Sequence, residues 1–267
     1  MTNKKRFSSI KIARLVLGTI LTVLFIAISI AAISKKESLR CHEVRVLIDK
    51  KNNLGFVNDK DILKEINHAN HQWIGSRVQD LNVNRIEETI RANEYINKAE
   101  VYLNHQGVMN VYIEQKNPMV RIYNNGESYY LSDQWTRIPV STKFTKRTIH
   151  VLGNTARLLD PITSLDSLIV LETKGLLKYI EKNEFWKNAI DQIIIGQNGK
   201  IEITLIFADA VIKLGYIHEK LDAKLNKVYN FFKITSQNVP INQYKELDFQ
   251  FENQVVGTKK LITNDNN

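Results

Sequence analysis

The chain has 267 residues, of which 43% are apolar and 24% charged, and a formal charge of +9. That balance raises nucleic acid as a partner, yet residues 1–40 hold eight Lys/Arg against Glu37 alone, leaving 29 Lys/Arg and 27 Asp/Glu for the other 227 residues. With the basic character confined to one end, and neither a basic stripe with interleaved aromatics nor a C-x-x-C pair, nucleic-acid binding is excluded as a reading.

Residues 1–14 form a short basic tail carrying Lys4, Lys5, Arg6, Lys11 and Arg14. From Leu15 to Ile33 there is no charge, and twelve of these nineteen residues are Leu, Ile, Val or Phe. As a helix they rise roughly 28 Å, close to the thickness of a bilayer's hydrocarbon core. At about 0.3 to 0.6 kcal/mol per residue, the twelve favour insertion by on the order of 4 to 7 kcal/mol. Residues 15–34 are therefore predicted to be a transmembrane helix that contacts the lipid bilayer. A cleaved signal peptide is the rival, with Ala32-Ile33-Ser34 as its site, but the run is too long for a signal core and Lys35 and Lys36 flank it as they would an anchor. The positive charges ahead of the run keep the N-terminus cytoplasmic and export the bulk, so the expected location is the cytoplasmic (inner) membrane, single-pass.

Cys41 is the only cysteine, so no internal disulfide is open to the exported part, and its 227 residues must be held by one or two hydrophobic cores. Arg40 ahead of it argues against lipid acylation, while crosslinking between chains stays open.

Residues 35–122 read as strand, helix, helix, strand, strand. Val44, Val46 and Ile48 alternate with polar residues; Asn58 or Asp59 caps a helix bearing Ile62, Ile66 and Ala69; Asn84-Arg85-Ile86-Glu87 has the form of a capping box for a second. Ala99, Val101 and Leu103, then Met109, Val111 and Ile113, alternate about a turn at His105-Gln106-Gly107, which predicts a hairpin.

Residues 123–260 are richer in strands. Gln197-Asn198-Gly199-Lys200 separates Ile190–Ile195 from Ile201–Phe207 as a hairpin, and Ala210–Leu214 adds a strand. Ile217, Leu221, Leu225, Val228 and Phe232 mark one helix face. After Pro240 come Leu247, Phe249 and Phe251, whose alternation puts both aromatics on one, core-facing side, then a turn at Glu252-Asn253 and a strand from Gln254 to Thr258. Residues 261–267 read as a disordered tail. The fold class is α+β.

Catalytic chemistry finds no foothold. There is no G-x-S-x-G and no phosphate-cradling glycine loop, and Ser132-Asp133-Gln134, faintly like the S-D-N of penicillin-binding proteins, lacks an S-x-x-K companion. His68 and His71 lie three apart, with no Cys or further His to complete a zinc set. No cofactor, metal or catalytic residue is called for.

The order of basic tail, single anchor, strand-helix-helix-strand-strand module and strand-rich C-terminal part resembles the bacterial cell-division family FtsQ/DivIB, whose first module is a POTRA domain. The resemblance rests on Ile96-Asn97-Lys98-Ala99-Glu100-Val101, Gly107 ahead of Val111-Tyr112-Ile113, Pro118, Tyr129-Tyr130-Leu131, Ile217 to Leu225 after Leu214-Gly215, and Leu247-Asp248-Phe249-Gln250-Phe251. Departures are Gln115 for the usual Glu, Ser132 and Trp135 for the usual Asp and Gly, so that this turn must be built differently, and Gln250 for a common Arg.

The resemblance implies a non-enzymatic division-site scaffold that binds the small bitopic coiled-coil proteins FtsB and FtsL and links them to septal peptidoglycan synthesis. It places partner binding beside the last hairpin, at Phe251, Glu252, Asn253, Gln254 and Val256. A terminal strand there offers unpaired backbone groups to a guest, and Val256→Pro is the substitution read as removing an edge donor. The alternatives are another membrane-anchored POTRA-bearing assembly or secretion protein, and a membrane-anchored cell-wall enzyme.

Overall fold

The computed structural model describes residues 14–30, 39–49, 54–68, 73–124, 126–217, 220–235 and 239–261. Residues 14–30 are helical (α1), and their large apolar side chains are exposed, from 48% at Val16 to 73% at Phe25. Among the described residues no helix is long and apolar enough to cross a membrane. The far end of the span predicted for 15–34 lies outside them, as does the tail 262–267.

The rest divides into two compact units, the first ending at Gln115, the second running from Lys116 with Leu54–Phe56 added to it. The first carries β1 (Glu43–Ile48), α2 (Asp59–His68), α3 (Val83–Arg91), β2 (Ile96–Leu103) and β3 (Val108–Gln115). Its sheet has the order β1-β3-β2, with β1 parallel to β3 and β2 antiparallel to it. The period-two pattern works as read: Ala99, Val101, Val111 and Ile113 are buried with Ile62, Ile66, Ile86 and Ile90 of the two helices, and Val44, Val46 and Ile48 pack against that cluster. Gly107 closes the β2–β3 turn at φ +80°, where a Cβ would stand 2.2 Å from the Arg40 carbonyl, so no other residue fits without moving backbone.

Helix starts differ in one place. Asn58 caps α2 as expected, its side chain accepting from the Asp61 N–H at 3.1 Å while Asp61 accepts from the Asn58 N–H at 3.0 Å. The cap of α3, however, is Asn82, which accepts from Arg85 N–H at 3.1 Å, and not Asn84. Glu87, assigned to that box, instead accepts the Val101 N–H at 2.8 Å and pairs with Arg91 at 2.9 Å. A carboxylate bonded to a strand amide serves β2 better than it would serve an already capped helix.

The second unit is one nine-stranded sheet. Its strands are β4 (Pro118–Asn124), β5 (Glu127–Ser132), β6 (Arg137–Pro139), β7 (Ile149–Gly153), β8 (Ile190–Ile195), β9 (Ile201–Leu205), β10 (Ala208–Gly215), β11 (Tyr244–Asp248) and β12 (Val256–Lys259). Their order is β12-β11-β10-β9-β8-β7-β4-β5-β6. β4, which spans residue 122, belongs wholly to this sheet. Three helices join it: α4 (Ser164–Lys182), α5 (Glu184–Ala189) and α6 (Leu221–Thr235). The β7–α4–β8 and β10–α6–β11 connections are parallel crossovers that step the same way along the sheet. Right-handed crossover then puts α4 and α6 on the same face, and the Ile217 N–H just before α6 indeed donates to Glu172 of α4 at 3.3 Å.

The hairpin β8–β9 and strand β10 follow the sequence expectation, β10 extended at both ends. The helix stripe is where it was read from Leu221 onward, with Leu225, Val228 and Phe232 buried and Leu221 packed against them, but Ile217, though buried, lies ahead of α6 rather than on it. The long α4 is absent from the sequence reading. Thr163-x-x-Asp166 is a full capping box, with 3.1 and 2.9 Å bonds, but Ser167, Val170, Thr173 and Gly175 interrupt the interior with weak helix formers, and burial of Ile169, Leu176, Leu177 and Ile180 carries the helix instead.

Candidate partner-docking edge

The sheet of the second unit ends on one side in β12, and all four residues of that strand are exposed. It pairs antiparallel with β11, Asp248 opposite Val256, Leu247 opposite Gly257, Glu246 opposite Thr258 and Tyr244 opposite Lys259, with Lys245 the extra residue of a bulge. The Lys260 N–H donates to the Gln243 carbonyl at 2.8 Å. Backbone groups of alternate residues point the same way, so Thr258 and Val256 also face β11. The N–H and C=O of Gly257 and Lys259 therefore face the open edge. This corrects the reading of Val256→Pro: that substitution removes a bond inside the sheet, and Lys259 carries the edge donor.

The predicted site residues fall around the start of this strand. Phe251, Glu252 and Asn253 form a bend, Gln254 continues it, and the strand begins only at Val256 rather than at Gln254. Phe249 is buried, its ring 5.4 Å from Phe231 at 90°. Phe251 is 48% exposed, contrary to the expectation that both aromatics face the core, because β11 stops at Asp248 and the two-residue alternation does not continue past it. Val256 is 45% exposed.

α6 holds the bend. The Lys227 ammonium donates to the carbonyls of Phe251 and, at 2.8 Å, Gln254, and Lys220 pairs with Glu252. Burial pushes the Lys227 ammonium below the usual lysine range, with Asp248 opposing, and the hydrogen bond from Lys220 holds Glu252 below the usual carboxylate range. Lys224 completes the row by donating to the Leu214 and Tyr216 carbonyls, both at 2.6 Å. These three lysines, four and three residues apart, escaped the sequence reading, which followed only the apolar stripe. Their spacing is itself a helical row. Gly257 lies under the Tyr244 ring, where a Cβ would come within 2.5 Å of Cε1, so the strand's inner register depends on that glycine.

The departures from the family pattern resolve locally. Gln115 is buried and accepts the Val57 N–H at 3.3 Å. Gln250 bonds Asp248 twice, at 2.8 and 3.1 Å. Trp135 stands at φ +60°, so the turn keeps the left-handed backbone a glycine would take rather than being built differently. The indole Nε1–H donates to the Leu158 carbonyl at 3.0 Å, and the Lys174 ammonium lies 4.7 Å from the ring centroid.

Ser132 and Cys41 both lie inside the fold. Ser132 is buried and shares a 2.7 Å hydrogen bond with Thr136. Cys41 is fully buried and burial pushes its thiol up, which argues against crosslinking between chains. Among the described residues no group of three or more His, Cys, Asp or Glu could hold a metal ion, and His71 lies outside those residues.

Comparison with known families gives two matches. A POTRA-like domain model matches residues 39–114, the unit in which two helices cover a three-stranded sheet. A model described as FtsQ/DivIB, C-terminal related matches residues 117–258, which takes in the nine-stranded sheet almost to its last residue. No curated protein matches the chain. Because the second match covers more than half of the 267 residues and stops within the exposed edge strand, the chain belongs to the FtsQ/DivIB family of cell-division proteins.

Proposed function

We propose that this chain is a non-enzymatic division scaffold whose β12 edge takes up one strand from a small bitopic coiled-coil protein of the FtsB or FtsL type, tying it to septal peptidoglycan synthesis. The observation that carries the reading is the terminal position of β12, with the amides of Gly257 and Lys259 turned to the open edge. Backbone pairing supplies affinity there. Phe251, Glu252, Asn253, Gln254 and Val256, which lead into and begin the strand, supply side-chain contacts that choose the guest. Family membership supports the scaffold role, since the members are non-enzymatic division proteins.

The scaffold is held in the membrane by residues 15–34, with the N-terminus in the cytoplasm and the two units outside, at the septum. Support comes from the apolar side chains of α1, which stand exposed along the whole described helix. Co-purification of membrane-extracted chain with small coiled-coil division proteins tests the partner. Absence of any such protein from wild-type preparations sinks the reading. External protease on intact spheroplasts tests the orientation, with cleavage in residues 60–260 before lysis as the expected result.

A further inference from the structure

Within the second unit, away from β12, a cavity of about 440 Å³ opens where β4, β7 and β8 begin. Its floor is apolar, made by Met119, Val120, Leu177, Ile180 and Ile190, and the volume lies in the range of ordinary ligand sites. Lys146 stands in its wall. The ammonium donates to Asn117 Oδ1 at 2.6 Å and to the Pro118 carbonyl at 3.0 Å, both neutral acceptors, and among the described residues no carboxylate is within ion-pair distance of it. A partly buried cation hydrogen-bonded only to neutral acceptors is costly, and burial holds this amine below the usual lysine range, with Lys187 adding to the effect and Glu181 and Asp133 opposing it from beyond ion-pair distance. Glu181 is already engaged by Lys187 at 2.6 Å. An ammonium with a proton to spare above an apolar floor is the complement of a carboxylate joined to an apolar group.

The cavity does not end at its rim. Ile206 lines it and is 52% exposed, and next to it Phe207 is 55% exposed at the tip of the β9–β10 turn, its ring 6.5 Å from that of Phe185, itself 41% exposed. Turn tips are normally polar. A small free acid would fill the cavity and leave these side chains bare, whereas a peptide would cover both.

We propose that this cavity and the Ile206–Phe207 tip bind a peptide segment of a partner protein that presents a carboxylate beside an aliphatic or aromatic side chain. The carboxylate is taken by Lys146, the adjacent side chain enters over Met119 and Leu177, and the next residues lie on Ile206 and Phe207.

The test uses the full chain in lipid nanodiscs and three synthetic peptides: acetyl-Ala-Leu-Phe with a free C-terminal acid, the same peptide as its amide, and acetyl-Leu-Glu-Phe amide. Calorimetry should show either acid binding about tenfold tighter than the neutral peptide, as a charge-assisted contact to a shielded ammonium implies. The tighter of the two acids names the source, a chain terminus or an internal acidic residue. Lys146→Met should abolish the preference, and Met119→Trp, which fills the floor, should abolish binding while leaving Lys146 in place. Equal binding of all three peptides to the wild-type chain, or none, overturns the proposal, whatever the variants do. The measurement contains no division partner and leaves β12 unaltered, so its failure is separate from a failure of edge pairing there.

Discussion

Lys227 on α6 donates to the backbone carbonyl of Gln254 at 2.8 Å, joining a helix to the bend that precedes the edge strand. Lys227→Met keeps the stem but removes the bonds to Gln254 and Phe251. Hydrogen bonds to a charged donor contribute on the order of 1.5 to 3 kcal/mol, and this solvent-exposed pair sits at or below the low end. The expected outcome is faster amide hydrogen exchange in residues 251–257 with unchanged protection in α6. Equal protection in the bend would show that the lysine is a bystander.

The edge itself is tested by where proline is placed. Lys259→Pro removes an outward N–H and should abolish strand addition by a partner while the circular dichroism spectrum stays native; Lys259→Ala separates loss of charge from loss of the amide. Val256→Pro acts on the inner ladder, opposite Asp248, and should loosen the β11–β12 hairpin whether or not partner is present. Undiminished partner binding by folded Lys259→Pro excludes the edge.

Trp135 offers a comparison of two small residues. A left-handed backbone costs a non-glycine residue about 1 kcal/mol or more, which the indole offsets through its bond to Leu158 and its contact with Lys174. Trp135→Ala loses the anchor and keeps the strain; Trp135→Gly loses the anchor and relieves it. Both should destabilise, alanine by about 1 kcal/mol more than glycine, in urea unfolding. The reverse order would mean that this backbone relaxes in the variants.

The start of α4 depends on acid. Asp166 is held below its ordinary 3.8, first by the Thr163 backbone N–H and then by the Thr163 side chain. A depressed carboxylate contributes stability that is complete above its unfolded value and lost as the pH falls through the lower, folded one. α4 should therefore fray at its first turn only below the ordinary aspartate range. Thr163→Ala should cost about 1 kcal/mol near neutrality. Nuclear magnetic resonance titration of the Asp166 carboxylate checks both; an ordinary value would refute the cap.

Legibility from sequence follows the period of the burial. Strands such as β2 and β3 alternate because one sheet face is packed and the other wet, so their residues could be read one by one. β7 was missed: it lies between two parallel neighbours, and Ile149-His150-Val151-Leu152 shows no clean alternation. α4 was missed because packing, not propensity, carries it. At the edge, the position of the last hairpin was readable, but the direction of each amide was not. That direction depends on Lys260 meeting Gln243 and on the bulge at Lys245, and both are properties of the pairing rather than of either strand.

The extra residue at Lys245 bears on how an open edge stays harmless. A bulge bends its strand and sharpens the local right-handed twist. β12 spans only Val256–Lys259, with Lys259 and Lys260 at its far end. A second copy laid flat against this coiled, short and positively charged margin would lose register within a few residues, and a third would find no even platform to stack on. Under the proposed edge pairing the margin suits a single brief guest and offers polymer growth no platform, a valence of one written into the backbone.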